Sequence, residues 1–240
     1  MTRQIFTASL ALLVFQSPVR AEEAGPKSSW TGEVSLTASN TTGNTETTDV
    51  GLGLKLQNES DRWRHEVTAS ADYGEGSGTK NKQRWQLGYQ LGYGLGERTY
   101  IYGNADYFDD DFGAFVSGYF VGGGVGYKLV LPDPVSWSVE GGAGFRSEED
   151  SLGDNADELA VRGSSDFDYA INENVSLYNN TEFVWSNRNT HIWSDVGVTA
   201  QLMGNLSARL SFRIDHRTDV PVNTENTDTA LRGGVVYTIG

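Results

Sequence analysis

The chain has 240 residues, with 32 Asp and Glu against 18 Lys and Arg, no Cys, 29 Gly and 11% aromatics. The missing cysteine excludes disulfide scaffolds, cysteine-bound zinc and thiol catalysis, and a formal charge of -14 argues against a nucleic-acid partner, whose phosphates need clustered Lys and Arg. Hydrophobic residues at 38% leave no run of roughly 20 apolar positions for a membrane-spanning helix, while the Tyr and Trp content argues against an acidic disordered chain.

The first segment contains Arg3, an apolar run from Ile5 to Phe15, and Val19-Arg20-Ala21 ahead of Glu22-Glu23. A basic start, an apolar run of about 11 residues and a small residue at the end predict a secretory signal peptide. The expected organisation is a cleaved signal over 1–21, a short periplasmic lead over 22–28 and one β-barrel over 29–240.

Beyond the signal the pattern has period 2, repeated in segments of about ten residues separated by Gly, Asn, Asp and Ser. The segments start near residues 29, 47, 61, 82, 97, 115, 135, 157, 174, 190, 205 and 228. In one of the clearest, Leu206, Ala208, Leu210, Phe212 and Ile214 share a face opposite Ser207, Arg209, Ser211, Arg213 and Asp215. Linkers after even segments are short, such as Leu95-Gly96-Glu97 and Gly204-Asn205. Those after odd segments are mostly longer and polar: 40–46, 74–81, 147–157 and 217–227. Tight turns at one rim and longer loops at the other predict an all-β, transmembrane, antiparallel up-and-down barrel of 12 strands.

Aromatic placement favours a membrane barrel over a soluble sandwich. Trp30, Trp63, Tyr93, Tyr127, Trp137, Tyr169 and Tyr237 fall on the apolar face at the short-turn end, and Tyr73, Trp85, Tyr107, Phe115, Phe145, Phe183 and Trp185 at the other. Two girdles around a band of smaller apolar residues match two lipid interfaces, membrane lipids and lipopolysaccharide being the expected surroundings. Parity places Glu33, Lys55, Arg64, Glu66, Arg84, Asp106, Lys128, Glu140, Arg146, Arg162, Asp166, Asp168, Glu182, Asp195, Arg209, Arg213, Asp215 and Arg232 on the opposite, lumen face. Inward Gly118, Gly122, Gly124 and Gly126, along with Gly51 and Gly53, are expected to widen the bore on one side, and Arg209, Arg213 and Arg232 to form a basic ladder opposite Asp166, Asp168 and Glu182.

Trp30-Thr31-Gly32-Glu33-Val34-Ser35-Leu36 with Thr42-Gly43-Asn44-Thr45, the strand from Tyr100 to Tyr107 before an acidic loop, the run Val121 to Tyr127 and Glu140-Gly141-Gly142-Ala143-Gly144-Phe145-Arg146 carry a resemblance. Over nearly the whole chain past the signal, the sequence resembles the YdiY-like salt-induced outer-membrane proteins, a family of unknown function. The resemblance implies an outer-membrane location and a role in osmotic or salt stress, with no catalytic residues to carry over. Arg232, Gly234, Tyr237 and Ile239 also resemble the C-terminal signal read by the barrel-assembly machinery, departing from it by ending in Gly240.

Little in the sequence points to catalysis or a cofactor. His65-Glu66 lacks the second His of a zincin helix. His191 and His216 suggest a Ser/His lipid hydrolase only in outline. Asp109, Asp111 and Gly113 open like a calcium loop, but Phe120 stands where the closing Glu belongs. Asp109-Asp110-Asp111 and Glu148-Glu149-Asp150 are expected to be solvated loop charge; the alternative is looser divalent-cation binding beside anionic lipid. The leading functional expectation is a small porin-like channel for passive passage of small polar solutes. The alternative is a closed structural or surface-interaction barrel, and the third is a membrane lipid hydrolase.

Overall fold

The computed structural model describes residues 29–42, 47–76, 78–129, 134–222 and 224–240. The signal peptide, the periplasmic lead and Gly43-Asn44-Thr45 lie outside the described residues. Twelve strands follow in order: β1 (Trp30–Thr42), β2 (Thr47–Ser60), β3 (Trp63–Gly76), β4 (Thr79–Gly94), β5 (Thr99–Asp110), β6 (Phe115–Leu129), β7 (Val135–Asp150), β8 (Asn155–Asn172), β9 (Val175–Ser186), β10 (Thr190–Met203), β11 (Leu206–Arg217) and β12 (Thr227–Ile239). Each pairs antiparallel with its chain neighbours, and β12 pairs with β1 from Gly32↔Ile239 to Thr42↔Thr229, closing the barrel. Closure leaves no unpaired sheet edge, the requirement for strands that meet hydrocarbon.

The period-2 pattern becomes two surfaces. Leu36, Leu52, Leu87, Val121, Val161, Val196, Leu210 and Leu231 all stand exposed on the exterior. At one end of this belt Trp63 meets Tyr93 at 4.8 Å between ring centroids; at the other Trp85 meets Tyr107 at 4.9 Å. Trp30, Tyr127, Trp137, Trp185 and Tyr237 are exposed on the same exterior. At the tight turn between β10 and β11, Gly204 takes φ +53, which a branched residue adopts only under strain.

The structure departs from the sequence reading in three places. First, much of the polar sequence expected as loops continues the strands. Asp49 pairs with Gly74, Glu148 with Ala156 and Arg217 with His191, because the ladder is made by backbone groups that polar residues also carry, and so it continues beyond the aromatic belt. Of the odd-side connections only 218–226 remains long. Second, Phe115 does not join a girdle. A register shift between Phe115 and Ser117 reverses its face, and its ring lies 4.3 Å from the Arg217 guanidinium.

Third, the inward glycines Gly118, Gly122 and Gly126 do not widen the bore, because aromatic rings occupy their hollows, while Gly124 lies against the β7 backbone and Gly51 and Gly53 against the polar side chains of Asp72 and Ser35. A Cβ on Gly118 would meet the Phe108 ring at 2.7 Å, one on Gly122 the Phe120 ring at 2.6 Å, and one on Gly197 the Tyr178 ring at 2.6 Å. Tyr100 fills the hollow at Gly126 in the same way, and the Tyr102 hydroxyl that at Gly142. Rings laid over glycine need less room than rings standing upright, so the wall takes up bulky residues in the hollows that glycine leaves.

Two expectations follow. Leu210 is 59% exposed on the exterior at mid-strand, whereas Asp168 is inward and exposed. Leu210→Arg should lower stability by roughly 2–4 kcal/mol in a liposome refolding titration. Asp168→Arg should stay within about 1 kcal/mol. Gly122→Val, which pushes the Phe120 ring off the wall, should destabilise by about 1–3 kcal/mol in the same assay.

Candidate functional site

The inward residues of all twelve strands form one polar wall, organised as clusters of opposite charge. At its centre Arg162 on β8 bridges two acids. Its guanidinium is 3.1 Å from Glu140 on β7 and 2.6 Å from Glu182 on β9. Glu140 also accepts hydrogen bonds from Gln90 Nε2 at 2.8 Å, the Tyr100 hydroxyl at 2.7 Å and the Ser164 hydroxyl at 3.2 Å. Because Gln90 belongs to β4, this contact reaches across part of the bore.

A second cluster sits where the barrel closes. Arg209 on β11 forms a fork with Glu33 on β1, both N···O distances being 2.7 Å, donates to Thr199 Oγ1 at 3.0 Å and lies 5.2 Å from the Tyr178 ring centroid. Planar two-point pairing of this kind is the strong form of a charge-assisted hydrogen bond. A third cluster gathers Gln57 at 2.6 Å, Arg64 at 3.4 Å and Lys55 at 3.6 Å around Glu66. Asp166 and Asp168 stand on the β8 wall within electrostatic range of Lys55. The proposed ladder is therefore not one array: Arg209 is held by Glu33, and Glu182 is neutralised by Arg162.

The end of the lumen beyond the second girdle is the most highly charged. Arg213 contacts Asp215 at 3.3 Å and lies 4.4 Å from the Trp193 ring centroid. Arg84 stands 3.9 Å from Asp110 and 5.9 Å from the Phe108 ring centroid. Arg217 on β11 reaches across the mouth to Glu148 on β7 at 2.9 Å, and Arg146 holds the same carboxylate. Lys82 on β4 meets the fully buried Asp49 of β2 at 3.1 Å, and Asp49 also accepts from Ser39 Oγ at 2.5 Å. The register runs Asp49↔Gly74↔Lys82, so the ion pair passes over a glycine of β3.

Two cavities open here, of about 940 and 700 Å³ counted to the solvent they face, and Phe115 and Val220 line both. The connection over 218–226 is anchored between them, the Asp219 backbone N–H donating to Asn189 Oδ1 at 3.2 Å and the Thr190 N–H to Thr218 Oγ1 at 2.8 Å.

The acidic runs have local partners. Asp111 pairs with Lys80 at 3.1 Å and Asp150 with Arg188 at 3.8 Å. Asp110 and Asp150 also accept turn N–H groups, from Phe112 at 3.2 Å and Leu152 at 2.9 Å, which shapes the turns themselves. Among the described residues no group of three or more His, Asp and Glu is placed to hold a metal ion. His191 Nε2 lies 2.7 Å from Asp215, His216 Nδ1 2.8 Å from Thr227 Oγ1 and His65 Nδ1 2.9 Å from the Tyr89 hydroxyl; none of these partners is a serine.

Several wall residues were not singled out from sequence: Lys82, Asp49, Arg217, Trp193, Tyr178 and the rings on the glycines. Strand parity held the signal for most of them, since Trp193 shares the face of Asp195, and Tyr100 and Tyr102 that of Asp106. Arg217 was hidden by assigning its segment to a loop.

The central cluster yields a prediction. Removing one partner of a buried pair strands the others, so Arg162→Met should cost about 3–5 kcal/mol in a urea unfolding titration of the folded barrel. Adding Glu140→Gln and Glu182→Gln to that variant should restore most of the loss.

Comparison with known proteins fits this geometry. The NanC porin superposes with a TM-score of 0.60 at 10% identity, covering 86% of this chain and 100% of its own. The KdgM porin gives 0.52 at 10% identity, covering 87% and 99%. The COG4313 outer membrane channel from Pseudomonas putida F1 gives 0.53 at 14% identity, covering 93% and 100%. At these identities the likeness shows the fold, a barrel of the outer-membrane type. No curated protein matches the sequence. The family model of the DUF481 proteins of unknown function matches residues 34–239, and the chain belongs to that family.

Proposed function

We propose that the protein is an outer-membrane channel for passive passage of small polar solutes. The observation that carries this reading is Asp106. It projects inward from the middle of β5, hydrogen-bonded to Asn104 Nδ2 at 2.6 Å, yet it is exposed to solvent, as is the inward Asp168. A dry, filled interior would bury both. The buried Tyr102 hydroxyl, Asn104 Oδ1 and Asp195 Oδ1 have no protein hydrogen-bond partner, which suits a wet lumen. The rings folded onto glycines support the same reading by keeping bulk at the wall. The porin and channel structures that share the fold are compatible with it.

On this reading the aromatic belts lie at the two interfaces, facing lipid on one side and lipopolysaccharide on the other. The exposed Tyr237 and the seam-forming Gly234 of β12 then serve as the signal taken up by the assembly machinery. Passage of small polar osmolytes is the step that would connect the protein to osmotic or salt stress.

A sealed barrel is the second reading, favoured by Arg217, which spans the outer mouth to reach Glu148. Planar-bilayer recording of refolded, heat-modifiable protein at two salt concentrations separates the two. Discrete current steps are expected, with larger steps for Arg217→Ala. Silence from folded protein, in the parent and in this variant alike, would establish the sealed barrel.

A further inference from the structure

The outer mouth contains more cationic hydrogen-bonding capacity than the protein itself uses. Arg213 and Arg232 are diagonal neighbours on β11 and β12, where Ser211 pairs with Arg232 and Arg213 with Ala230. Arg84 approaches from β4, close enough that Arg213 lies within electrostatic range of both other guanidiniums. All three line the cavity of about 940 Å³ that opens to solvent. Like charges held together in a partly desolvated wall repel one another unless acids intervene.

The local acids only partly meet this demand. Asp215 is shared between Arg213 at 3.3 Å and His191 at 2.7 Å, and Asp110 stays 3.9 Å from Arg84 while accepting a turn N–H. Glu225 and Asp228 line the same cavity, each with an interaction of its own, and two guanidinium donors there still lack an acceptor. The Nε of Arg84 and the Nε of Arg232 are buried with no hydrogen-bond partner. A buried donor left unmet costs about 1–3 kcal/mol, and more on a charged group. Arg84 Nε has Asp110 no nearer than 3.9 Å, so two donors on the wall of one open cavity leave room for an acceptor from outside, lumen water or an anion that displaces it.

We infer that this cavity is a binding site for a small oxyanion, a carboxylate or a phosphate, held by the guanidinium groups of Arg84, Arg213 and Arg232. Guanidinium forks match the oxygen spacing of both groups, which an ammonium does not. Phe108, which lines the cavity with its ring centroid 5.9 Å from the Arg84 guanidinium, supplies an apolar surface for the body that bears the anion. The inference rests on the passage reading for access to the site, and it assigns the class of solute that the passage selects.

Trp193 makes the test independent of current. It is the one inward indole of the chain's six tryptophans, and its ring centroid lies 4.4 Å from the Arg213 guanidinium. Full-length, heat-modifiable protein is titrated with sodium phosphate, sodium acetate or sodium benzoate at constant ionic strength, with sodium chloride as the reference, while tryptophan emission is followed. The expected result is a saturable change that Trp193→Phe abolishes. Affinity should fall at least tenfold in Arg84→Gln/Arg232→Gln and stay within twofold in Arg62→Gln/Arg98→Gln, which removes the same charge from exposed turns at the opposite rim.

Saturation by phosphate alone assigns the phosphate class. Saturation by acetate and benzoate alone assigns the carboxylate class, and tighter benzoate binding adds a role for Phe108. Should the arginine double variant fail to fold, Arg232→Lys replaces it, keeping the charge and removing the fork, with at least a threefold loss expected. The absence of a saturable change with all three anions, or an equal loss in both double variants, would overturn the site. Folded protein that binds but passes no current keeps the site and refutes the channel; protein that conducts without saturable binding does the reverse.

Discussion

Ring closure of the backbone hydrogen bonds is the constraint on which the rest of this molecule depends. Once β12 pairs with β1, every strand has two neighbours and every side chain has one of two destinations. The alternation in the sequence is then sufficient to sort apolar residues outward and ionisable ones inward. Closure also brings together residues that are remote in the chain: Glu33 and Arg209, 176 positions apart, form a two-point ion pair only because the first and last strands meet.

Inside the ring the problem is one of volume and charge. A bore of twelve strands is too wide to be filled by modest side chains and too narrow to ignore bulky ones. The protein lays Tyr100, Tyr102, Phe108, Phe120 and Tyr178 over glycines, so these aromatic residues lie along the wall in the hollows that glycine leaves. Charges are handled locally as well. Arg162 bridges Glu140 and Glu182 along three adjacent strands, while Gln90 reaches Glu140 from β4 and, at the mouth beyond the second girdle, Arg217 reaches Glu148 from β11. The result is a polar surface with clusters of opposite charge through its middle, acids such as Asp106 standing beside them, and a guanidinium-rich chamber at one end.

The sequence made the strands and their faces legible because both depend on a local period. It could not reveal partners. Parity says that Arg209, Arg213 and Arg232 share the lumen, but their heights depend on strand tilt and stagger, which are properties of the closed ring. That is why a single ladder was expected and separate clusters are found. The face of Phe115 was lost to a register shift that inserts one residue into the count. Polar segments such as Glu148-Glu149-Asp150 looked like loops because composition alone does not distinguish a solvated strand from a turn. The inward glycines of β6 gave a true signal, that the wall is thin there, without showing that Phe120 and Tyr100 would occupy the space.

The pair formed by Asp49 and Lys82 acts on the mechanics of the rim. It joins β2 to β4 and passes over β3 where Gly74 offers no side chain. A strand in a barrel can in principle slide along its neighbours, trading one set of hydrogen bonds for another. Sliding β3 by one position in either direction would bring Tyr73 or Glu75 to the level that Gly74 now holds, beneath the ion pair. The contact therefore works as a pawl: three strands share one register at this point, and none can slip without first breaking a buried carboxylate away from its cation.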